Sequence, residues 1–128
     1  MIRVYVAGKY SDDNVLDVLN NIRKGISVSK DILLLGMAPF CPWLDYMYIL
    51  LMSDCEVSAL QKDVFYQYSL EWLRAAHVMF LLPERTADSV GVQMEIAEAE
   101  RRGIPIFTDI EELKKYARLS DSLHDHDE

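Results

Sequence analysis

The sequence predicts a three-layer α/β domain built around a parallel β-sheet of four to five strands. Short apolar segments alternate four times with longer segments in which apolar residues recur every three or four positions, as in helices packed on one face. The third short segment, from His77 to Leu82, is apolar throughout, which is typical of a strand buried on both faces of a parallel sheet. This order of strands and helices predicts right-handed crossovers.

The first strand and the first helix are predicted within residues 2–36. Residues 2–7 are rich in β-branched and aromatic side chains and end at Gly8. Ser11, followed by two aspartates, is predicted to cap the first helix, because acidic side chains favour the positive end of a helix. Apolar residues then continue at helical spacing to Leu35, and the next residue, a glycine, is expected to end the helix.

The second strand, residues 37–42, is expected to be short, because Pro39 cannot donate a hydrogen bond to a neighbouring strand. Residues 43–55 form an aromatic and methionine-rich connection in which we expect one helical turn. A second long helix is predicted from Glu56 to about Ala75, with apolar residues along one stripe.

The last two strand and helix units follow the same pattern. A helix is predicted from Ser89 to Arg102, where a glycine ends it, and a fourth strand covers residues 104–107. Asp109 is expected to cap a last helix that extends through Tyr116.

The composition predicts one globular domain with an acidic tail. The 128 residues include 13 basic and 21 acidic side chains, a formal net charge of -8, and 51% of them are hydrophobic. This negative charge disfavours nucleic-acid polymers and anionic membranes as partners. Residues 1–118 are predicted to form the domain. Residues 119–128 carry four acidic side chains and few apolar ones, so we expect a disordered tail.

The cysteines and the hydropathy pattern predict a cytoplasmic protein. Cys41 and Cys55 are too few for a disulfide framework, which indicates a reducing compartment. The chain begins with a strand pattern rather than a signal peptide, and its longest apolar run, residues 46–52, is far shorter than the ~20 residues that span a bilayer. Because no Cys/His spacing typical of metal sites is present, we expect neither a metal nor another cofactor.

Two segments at the carboxyl ends of predicted strands are candidates for a ligand site, since open parallel sheets bind ligands there. The first contains Gly8, Lys9, Tyr10 and Ser11. A glycine lets the backbone approach a ligand closely, and the following helix points free N–H groups at an anion. The alternative interpretation is that Gly8 only makes the turn from strand to helix.

The second candidate segment, residues 88–95, follows the third strand. Ser89 and Gly91 open a helix, and Glu95 lies one turn further in, at the edge of the predicted buried stripe. Its carboxylate could serve there as a nucleophile or base, whereas the alternative is a solvated helix glutamate. Glu98 is predicted to point well away from the stripe. The stripe itself consists of Val92, Ile96, Ala99 and Gly103.

Four segments together carry a spaced set of motifs. They are residues 4–11 (VYVAGKYS), 38–43 (APFCPW), 69–82 (SLEWLRAAHVMFLL) and 88–99 (DSVGVQMEIAEA). The most specific part is Tyr5 and Gly8 in the first segment, with Ser89-x-Gly91-x-x-x-Glu95 in the last. In this order the set resembles the nucleoside 2-deoxyribosyltransferase superfamily, above all its 2'-deoxynucleoside 5'-phosphate N-hydrolase branch and small phage or bacterial relatives. The resemblance covers residues 2–108.

The resemblance implies a flavodoxin-like, doubly wound domain that cleaves or transfers the N-glycosidic bond of nucleosides or (deoxy)nucleoside 5'-monophosphates. Glu95 matches the carboxylate that attacks the anomeric carbon and forms a glycosyl-enzyme intermediate. Tyr5 matches the tyrosine that orients this carboxylate. Residues 8–11, with Ser89 and Gly91, match the segments that hold the sugar and the 5'-phosphate. Relatives form homodimers or larger homo-oligomers, which we expect here too.

Two residues depart from the family pattern. Where the family places an aspartate that protonates or hydrogen-bonds the leaving base, this chain has Ser69, which can hydrogen-bond but cannot supply a proton as a carboxylic acid would. Where relatives carry an aspartate at the start of the third strand, this chain has His77, which we interpret as a structural residue. The serine leaves open an altered base preference, a leaving group that needs little help, or lost catalysis.

The aromatic segment after the second strand admits two interpretations. Phe40 and Trp43 lie at the carboxyl end of that strand, so we expect them near the ligand, where aromatic rings would stack on a nucleobase. The alternative is that they fill the core. Residues 46–52 are assigned to packing or to a contact between subunits.

The sequence therefore predicts an enzyme that acts on the N-glycosidic bond of a small nucleoside or nucleotide, with no nucleic-acid polymer or membrane as partner. The alternative, motivated by Ser69, is a nucleotide-binding module of the same fold that has lost catalysis. A third hypothesis is a purely structural or interaction protein.

Overall fold

A computed structural model describes residues 1–61, 63–83 and 89–126. The strands are β1 (Arg3–Ala7), β2 (Ala38–Phe40), β3 (Val78–Leu81) and β4 (Ile106–Phe107). The helices are α1 (Val15–Leu34), α2 (Asp45–Leu51), α3 (Asp54–Ala59), α4 (Val64–Arg74), α5 (Val90–Arg101) and α6 (Ile110–His126). A short 3-10 helix, Pro42–Leu44, precedes α2.

The strands form an all-parallel sheet in the order β2-β1-β3-β4. The central strand β1 pairs with β2, where Tyr5 lies opposite Phe40, and with β3, where Tyr5 lies opposite Met79. Since the chain leaves β1 to form β2 on one side and then forms β3 on the other, the strand order reverses between β1 and β3. The predicted flavodoxin-like, three-layer α/β fold is therefore confirmed, and such folds bind ligands beside this reversal.

Alternate side chains of β1 enter two separate apolar layers. Val4 and Val6 pack into the layer that α1 and α6 cover, whereas Tyr5 and Ala7 pack into the layer of α4 and α5. All four side chains are fully buried. As a result, β1 carries the hydroxyl group of Tyr5 into the layer that also contains Glu95.

Helix α1 begins three residues later than the sequence predicted. Asn14 caps it instead of Ser11, because the Oδ1 atom of Asn14 accepts a hydrogen bond from the backbone N–H of Asp17 at 2.9 Å. Asparagine is as favourable a capping residue as serine. The side chain of Asn21 also donates to the carbonyl oxygen of Tyr10 at 3.2 Å, and this bond fastens the preceding loop to the outside of the helix.

Two helices end at glycines, as predicted. Gly36, after α1, has φ of 90°, and Gly103, after α5, has φ of 70°. Both values lie in the left-handed region of backbone conformation, which residues other than glycine rarely adopt at a helix end.

The region between β2 and β3 contains more helices than expected. In place of one turn and one long helix from Glu56, it forms the 3-10 helix, α2, α3 and α4. A capping box starts α3, since Ser53 and Glu56 exchange hydrogen bonds between side chain and backbone. Leu60 then adopts an extended conformation that separates α3 from α4. A stripe of apolar residues continues through this break, which explains why periodicity alone predicted a single helix.

Residues 119–126 are helical, which corrects the prediction of a disordered tail for that part of 119–128. Asp109 begins α6 as predicted, since its Oδ1 atom accepts from the backbone N–H of Glu111 at 2.7 Å. Leu113 then anchors the helix in the core. Once a helix has nucleated, each added residue gains a hydrogen bond, so polar residues extend it to His126. Within the described ranges, no helix combines the length and apolarity needed to cross a membrane.

Candidate functional site

A cleft of about 460 Å³ opens beyond the carboxyl ends of β1 and β3, beside the reversal of strand order. We call it the Glu95 cleft, and its volume suits a small organic ligand. It brings together both segments that the sequence singled out. Its lining consists of Gly8, Lys9, Tyr10, Ser11, Pro42, Trp43, Asp45, Ile49, Phe65, Tyr66, Ser69, Ser89, Val90, Gly91, Val92 and Glu95. Asp88, in the second of those segments, lies outside the described residues.

Glu95 lies on the second turn of α5, where its side chain faces the cleft and is partly buried. Ser89 fixes the start of this helix, because its Oγ atom accepts a hydrogen bond from the backbone N–H of Val92 at 3.3 Å. The pKa of Glu95 is raised from 4.5 to about 8, chiefly by burial; Tyr5 opposes this shift, and the negative charge of Asp45 adds to it. Glu95 is therefore not the solvated glutamate of the alternative interpretation, and it holds a proton at neutral pH in the free protein.

Tyr5 is fully buried beneath the cleft, and its hydroxyl group has no hydrogen-bond partner among the described residues. Burial raises its pKa well above the usual value, and the charge of Glu95 raises it further, whereas Ser69 lowers it. Both of these side chains are thus close to the hydroxyl group without forming a hydrogen bond of good geometry. Buried polar groups are rarely left unpaired, which makes this hydroxyl group a candidate for contact with a ligand.

Ser69 lies on α4, is buried, and lines the cleft beside Tyr5. This position is consistent with the prediction that Ser69 belongs to the site. Its chemistry is that of a hydroxyl group, so it can orient a ligand or Tyr5 by hydrogen bonding but cannot act as a carboxylic acid at neutral pH.

Asp45 is an acidic residue of the cleft that the sequence reasoning missed. It is the first residue of α2, is only 9% exposed, and lines the same cleft as Glu95. Burial raises the pKa of Asp45 from 3.8 to about 6. The signal that could have found it is an acidic residue within the aromatic segment that follows strand β2, at the same edge of the sheet as the other candidates.

The loop after β1 forms one wall of the cleft. Lys9 extends its ammonium group to within 3.7 Å of a carboxylate oxygen of Asp12, and its backbone carbonyl oxygen accepts a hydrogen bond from Nε1 of Trp43 at 3.1 Å. Tyr10 and Ser11 follow on the same wall. All four residues predicted in this segment therefore line the cleft.

The two glycines of the site are required by packing within the protein. A Cβ atom on Gly8 would lie 2.8 Å from Leu82 and 2.9 Å from Trp43. A Cβ atom on Gly91 would lie 2.9 Å from the ring of Tyr66. These distances are shorter than the contacts that Cβ atoms make in proteins. The absence of a side chain at each glycine therefore lets an aromatic ring approach the backbone beside the cleft. Close approach to a ligand is not needed to explain either glycine.

Trp43 lines the cleft as predicted, but Phe40 does not. The indole of Trp43 is only 2% exposed, which favours the core-filling interpretation over a stacking wall. Phe40 stacks between Tyr5, at 5.5 Å, and Trp72, at 5.3 Å between ring centroids. Because Phe40 is the register partner of Tyr5, it faces the same layer and meets the ring of Tyr5 instead of the cleft. The exposed aromatic side chain of the cleft is Tyr66, which is 44% exposed.

Two further residues that the sequence singled out, His77 and Glu98, have structural contacts. His77 accepts a hydrogen bond from the backbone N–H of Arg3 at 2.9 Å, which supports its interpretation as a structural residue that joins β1 to β3. Glu98, which was predicted to point away from the packed face, lies under arginine side chains at the surface. Its side chain is 10% exposed beneath Arg102, Arg101 and Arg74, whose guanidinium groups lower its pKa to about 2. Long arginine side chains on α4 and α5 cover a position that the helical pattern places at the surface.

Among the described residues, no group of three or more His, Cys, Asp or Glu side chains is arranged to hold a metal ion. The described part of the lining contains two acidic residues, Asp45 and Glu95. These two carboxyl groups, the buried phenol of Tyr5 beside them, the hydroxyl group of Ser69 and the ammonium group of Lys9 provide the chemistry of the cleft.

Residues 2–109 match a protein family described as a domain of unknown function (DUF7768). The match includes the four strands and all residues that line the Glu95 cleft. No curated protein sequence matches the chain.

Proposed function

We propose that this chain, which belongs to the DUF7768 family through the match over residues 2–109, is an enzyme that cleaves the N-glycosidic bond of a nucleoside or nucleoside 5'-monophosphate. The observation that carries the proposal is the carboxyl group of Glu95 in the cleft, next to the unpaired hydroxyl group of Tyr5. A buried hydroxyl group without a partner costs ~1–3 kcal/mol of stability. Its presence here favours a role in the reaction over a role in folding.

Glu95 is the nucleophile in this proposal. Its carboxylate attacks the anomeric carbon of the sugar as the base departs, and water then hydrolyses the glycosyl-enzyme ester. The attack requires the ionised form, whereas burial keeps Glu95 protonated in the free protein at neutral pH. A hydrogen bond from Tyr5 and hydrogen bonds from the sugar hydroxyl groups stabilise the carboxylate when the substrate is bound.

The charges around the cleft support a phosphorylated substrate. The floor carries the carboxyl groups of Asp45 and Glu95, which suit the hydroxyl groups of a sugar. The rim carries the ammonium group of Lys9 and the first N–H groups of the twelve-residue helix α5, which suit an anion. The ring of Tyr66, rather than that of Phe40 or Trp43, is exposed for stacking on the base.

The first prediction is that the protein releases free base from at least one member of a panel of nucleosides and their 5'-monophosphates. Chromatography of the reaction mixture measures the free base. Replacing Glu95→Gln keeps the side-chain shape but removes the nucleophile, so we expect a loss of more than about a thousandfold in kcat, because a single nucleophile typically supplies most of the covalent pathway.

The matched control is Glu100→Gln, since Glu100 is exposed on the same helix. This variant is expected to retain wild-type activity. If no nucleoside or nucleotide of the panel loses its base, or if Glu95→Gln is as active as Glu100→Gln, the proposed reaction is wrong.

A nucleotide-binding module without turnover is the second candidate, and the observation that favours it is Ser69 in place of an acid. It predicts that a nucleotide raises the melting temperature while no base is released. Lys9→Ala is the suitable test of binding, because Lys9 is on the rim. A bulky residue at Gly8 would collide with Leu82 and Trp43 even without a ligand.

A further inference from the structure

We infer that Asp45 is the proton donor to the leaving base, so that Asp45 and Glu95 act as an acid and nucleophile pair across the Glu95 cleft. This assignment rests on the proposed function and names a residue that neither the family pattern nor the sequence reasoning placed in the site. Four observations lead to it. They are the anchoring of Asp45, the lack of a counter-ion among the described residues, the neutral or acidic character of the titratable groups around it, and the chemistry of Ser69.

The short 3-10 helix fixes the position of Asp45. Trp43 in this helix is wedged so tightly against α1 that a Cβ atom on Gly25 would lie 2.1 Å from its ring. The indole Nε1 atom also donates to the carbonyl oxygen of Lys9, which ties the helix to the opposite loop. Two residues later, Asp45 begins α2 with its side chain on the cleft. A group held on both sides in this way has the fixed geometry that proton transfer requires.

The described part of the chain provides no counter-ion for Asp45. Within the described ranges, no Lys, Arg or His side chain forms an ion pair with Asp45, and Lys9, on the same cleft, lies against Asp12 instead. Unpaired buried carboxyl groups retain their proton to a higher pH than exposed ones. Because the pKa of Glu95 is higher still, the reactive form, with the proton on Asp45 and Glu95 ionised, forms when the bound sugar stabilises the carboxylate of Glu95.

The titratable groups that interact with Asp45 carry no positive charge at neutral pH. Glu95 on α5, Tyr5 on β1, Tyr10 on the loop after β1, Cys41 before the 3-10 helix and Tyr68 on α4 all interact with its charge. Each of these groups is neutral or negative at neutral pH, so none of them stabilises a carboxylate as a cation would. The negative charge of Asp45 in turn raises the pKa of Glu95, so the two carboxyl groups do not titrate independently.

The reaction needs a second carboxyl group that Ser69 does not supply. Enzymes that cleave glycosidic bonds with retention generally use two carboxyl groups, one as nucleophile and one as acid. Among the described residues that line the cleft, two are acidic, and Glu95 has the first role. We therefore assign the role of the acid to Asp45, the other acidic residue of the described lining.

In the first step, the bond between C1' and the base nitrogen breaks, and its electron pair goes to the base. The proton on the Asp45 carboxyl group moves to the base, while an oxygen atom of the Glu95 carboxylate bonds to C1'. In the second step, the carboxylate of Asp45 takes a proton from a water molecule as that water attacks C1'. The ester bond to Glu95 breaks, which regenerates both groups and releases the free sugar or sugar phosphate.

Leaving-group dependence tests this assignment. A natural base needs a proton to depart, whereas 4-nitrophenolate departs as a stable anion. The experiment measures kcat/KM for the best nucleotide of the panel and for the 4-nitrophenyl glycoside of the same sugar. Asp45→Asn is expected to lower kcat/KM for the nucleotide by about 10²–10⁴ and for the 4-nitrophenyl glycoside by less than about tenfold. Glu95→Gln is expected to lose both activities.

Two further variants complete the test, one that keeps a carboxylic acid at position 45 and one that serves as a control. Asp45→Glu retains a carboxylic acid, so it is expected to recover part of the activity on the nucleotide. Asp63→Asn, at an exposed aspartate, is the matched control and is expected to leave both activities unchanged.

Each outcome is decisive. If Asp45→Asn reduces both activities equally, or reduces neither, Asp45 is not the proton donor, even though wild-type turnover upholds the proposed function. If wild-type protein cleaves neither substrate class, the proposed function fails and the role of Asp45 fails with it.

Discussion

Asp45 and Glu95 keep their protons to a higher pH when the chain is folded than when it is unfolded. Their folded pKa values are about 6 and about 8, whereas the ordinary values are 3.8 and 4.5. A group whose pKa rises on folding contributes its full stability below the unfolded pKa and loses it as pH rises through the folded pKa. The two carboxyl groups therefore destabilise the folded protein progressively between about pH 4 and pH 8.

The double replacement of Asp45→Asn and Glu95→Gln is expected to remove this decrease in the free energy of unfolding with rising pH. The free energy of unfolding, measured by urea denaturation, should fall less between about pH 5 and about pH 8 in the double variant than in the wild-type protein. Asp63→Asn with Glu100→Gln, two exposed positions, is the control. Equal pH dependence in the wild-type protein and the double variant would contradict the assigned burial of the two groups.

The sequence predicted the polar residues of the site better than its other walls, and it missed Asp45 and Tyr66. Tyr5, Ser69 and Glu95 were placed in the site through a spaced motif, and the structure brings them together around the Glu95 cleft. Asp45 lies in no such motif, and its position depends on how the 3-10 helix turns the chain after β2. The prediction that Phe40 lines the cleft failed because the register of β1 and β2, which the sequence pattern does not reveal, stacks its ring on Tyr5.

At the scale of secondary-structure elements, α1 and the 3-10 helix pack against each other at Gly25. Alanine normally stabilises a helix interior relative to glycine by ~0.5–1 kcal/mol. Here we expect Gly25→Ala to destabilise the protein by about 1–3 kcal/mol, because the added methyl group would overlap the ring of Trp43.

Thermal or urea unfolding of Gly25→Ala measures this effect. Ser27→Ala is the control, because Ser27 is exposed on the same helix. A Gly25→Ala variant that is as stable as Ser27→Ala would show that α1 and the 3-10 helix separate easily.

The same elements show why strands and helices were predicted better than their boundaries. Apolar periodicity located the four strands and the main helices, because burial on one face imposes it. The break between α3 and α4 depends on the capping box of Ser53 and Glu56, a local hydrogen-bond pattern that competes with a continuous apolar stripe. The start of α1 likewise depends on Asn14, one of several adjacent residues able to cap a helix.

At the scale of the whole molecule, α2 presents an apolar surface to solvent. Five successive residues of this helix are between 38% and 84% exposed: Met47, Tyr48, Ile49, Leu50 and Leu51. A contiguous apolar surface of this kind is typical of a contact between proteins. The sequence-based expectation of a homo-oligomer remains a prediction, and α2 is the surface at which we expect the contact.

Sedimentation velocity tests this expectation. The wild-type protein should sediment as a dimer or larger species, and Leu51→Glu should shift it towards the monomer. Val15→Glu is the matched control, since Val15 is similarly exposed but lies on α1. Monomeric wild-type protein, or equal dissociation by both variants, would place the contact elsewhere or rule it out.

The Glu95 cleft takes its lining from segments that are far apart in the chain, from Gly8 to Glu95. Tyr5 lies beneath it on the central strand, and its two acidic residues, Asp45 and Glu95, are fifty positions apart in the sequence. No single strand and helix unit contains enough of these groups to form the cleft, so it arises only after the long loops between strands have closed. Fragments and partly folded intermediates therefore lack the site, and its formation coincides with cooperative folding of the sheet.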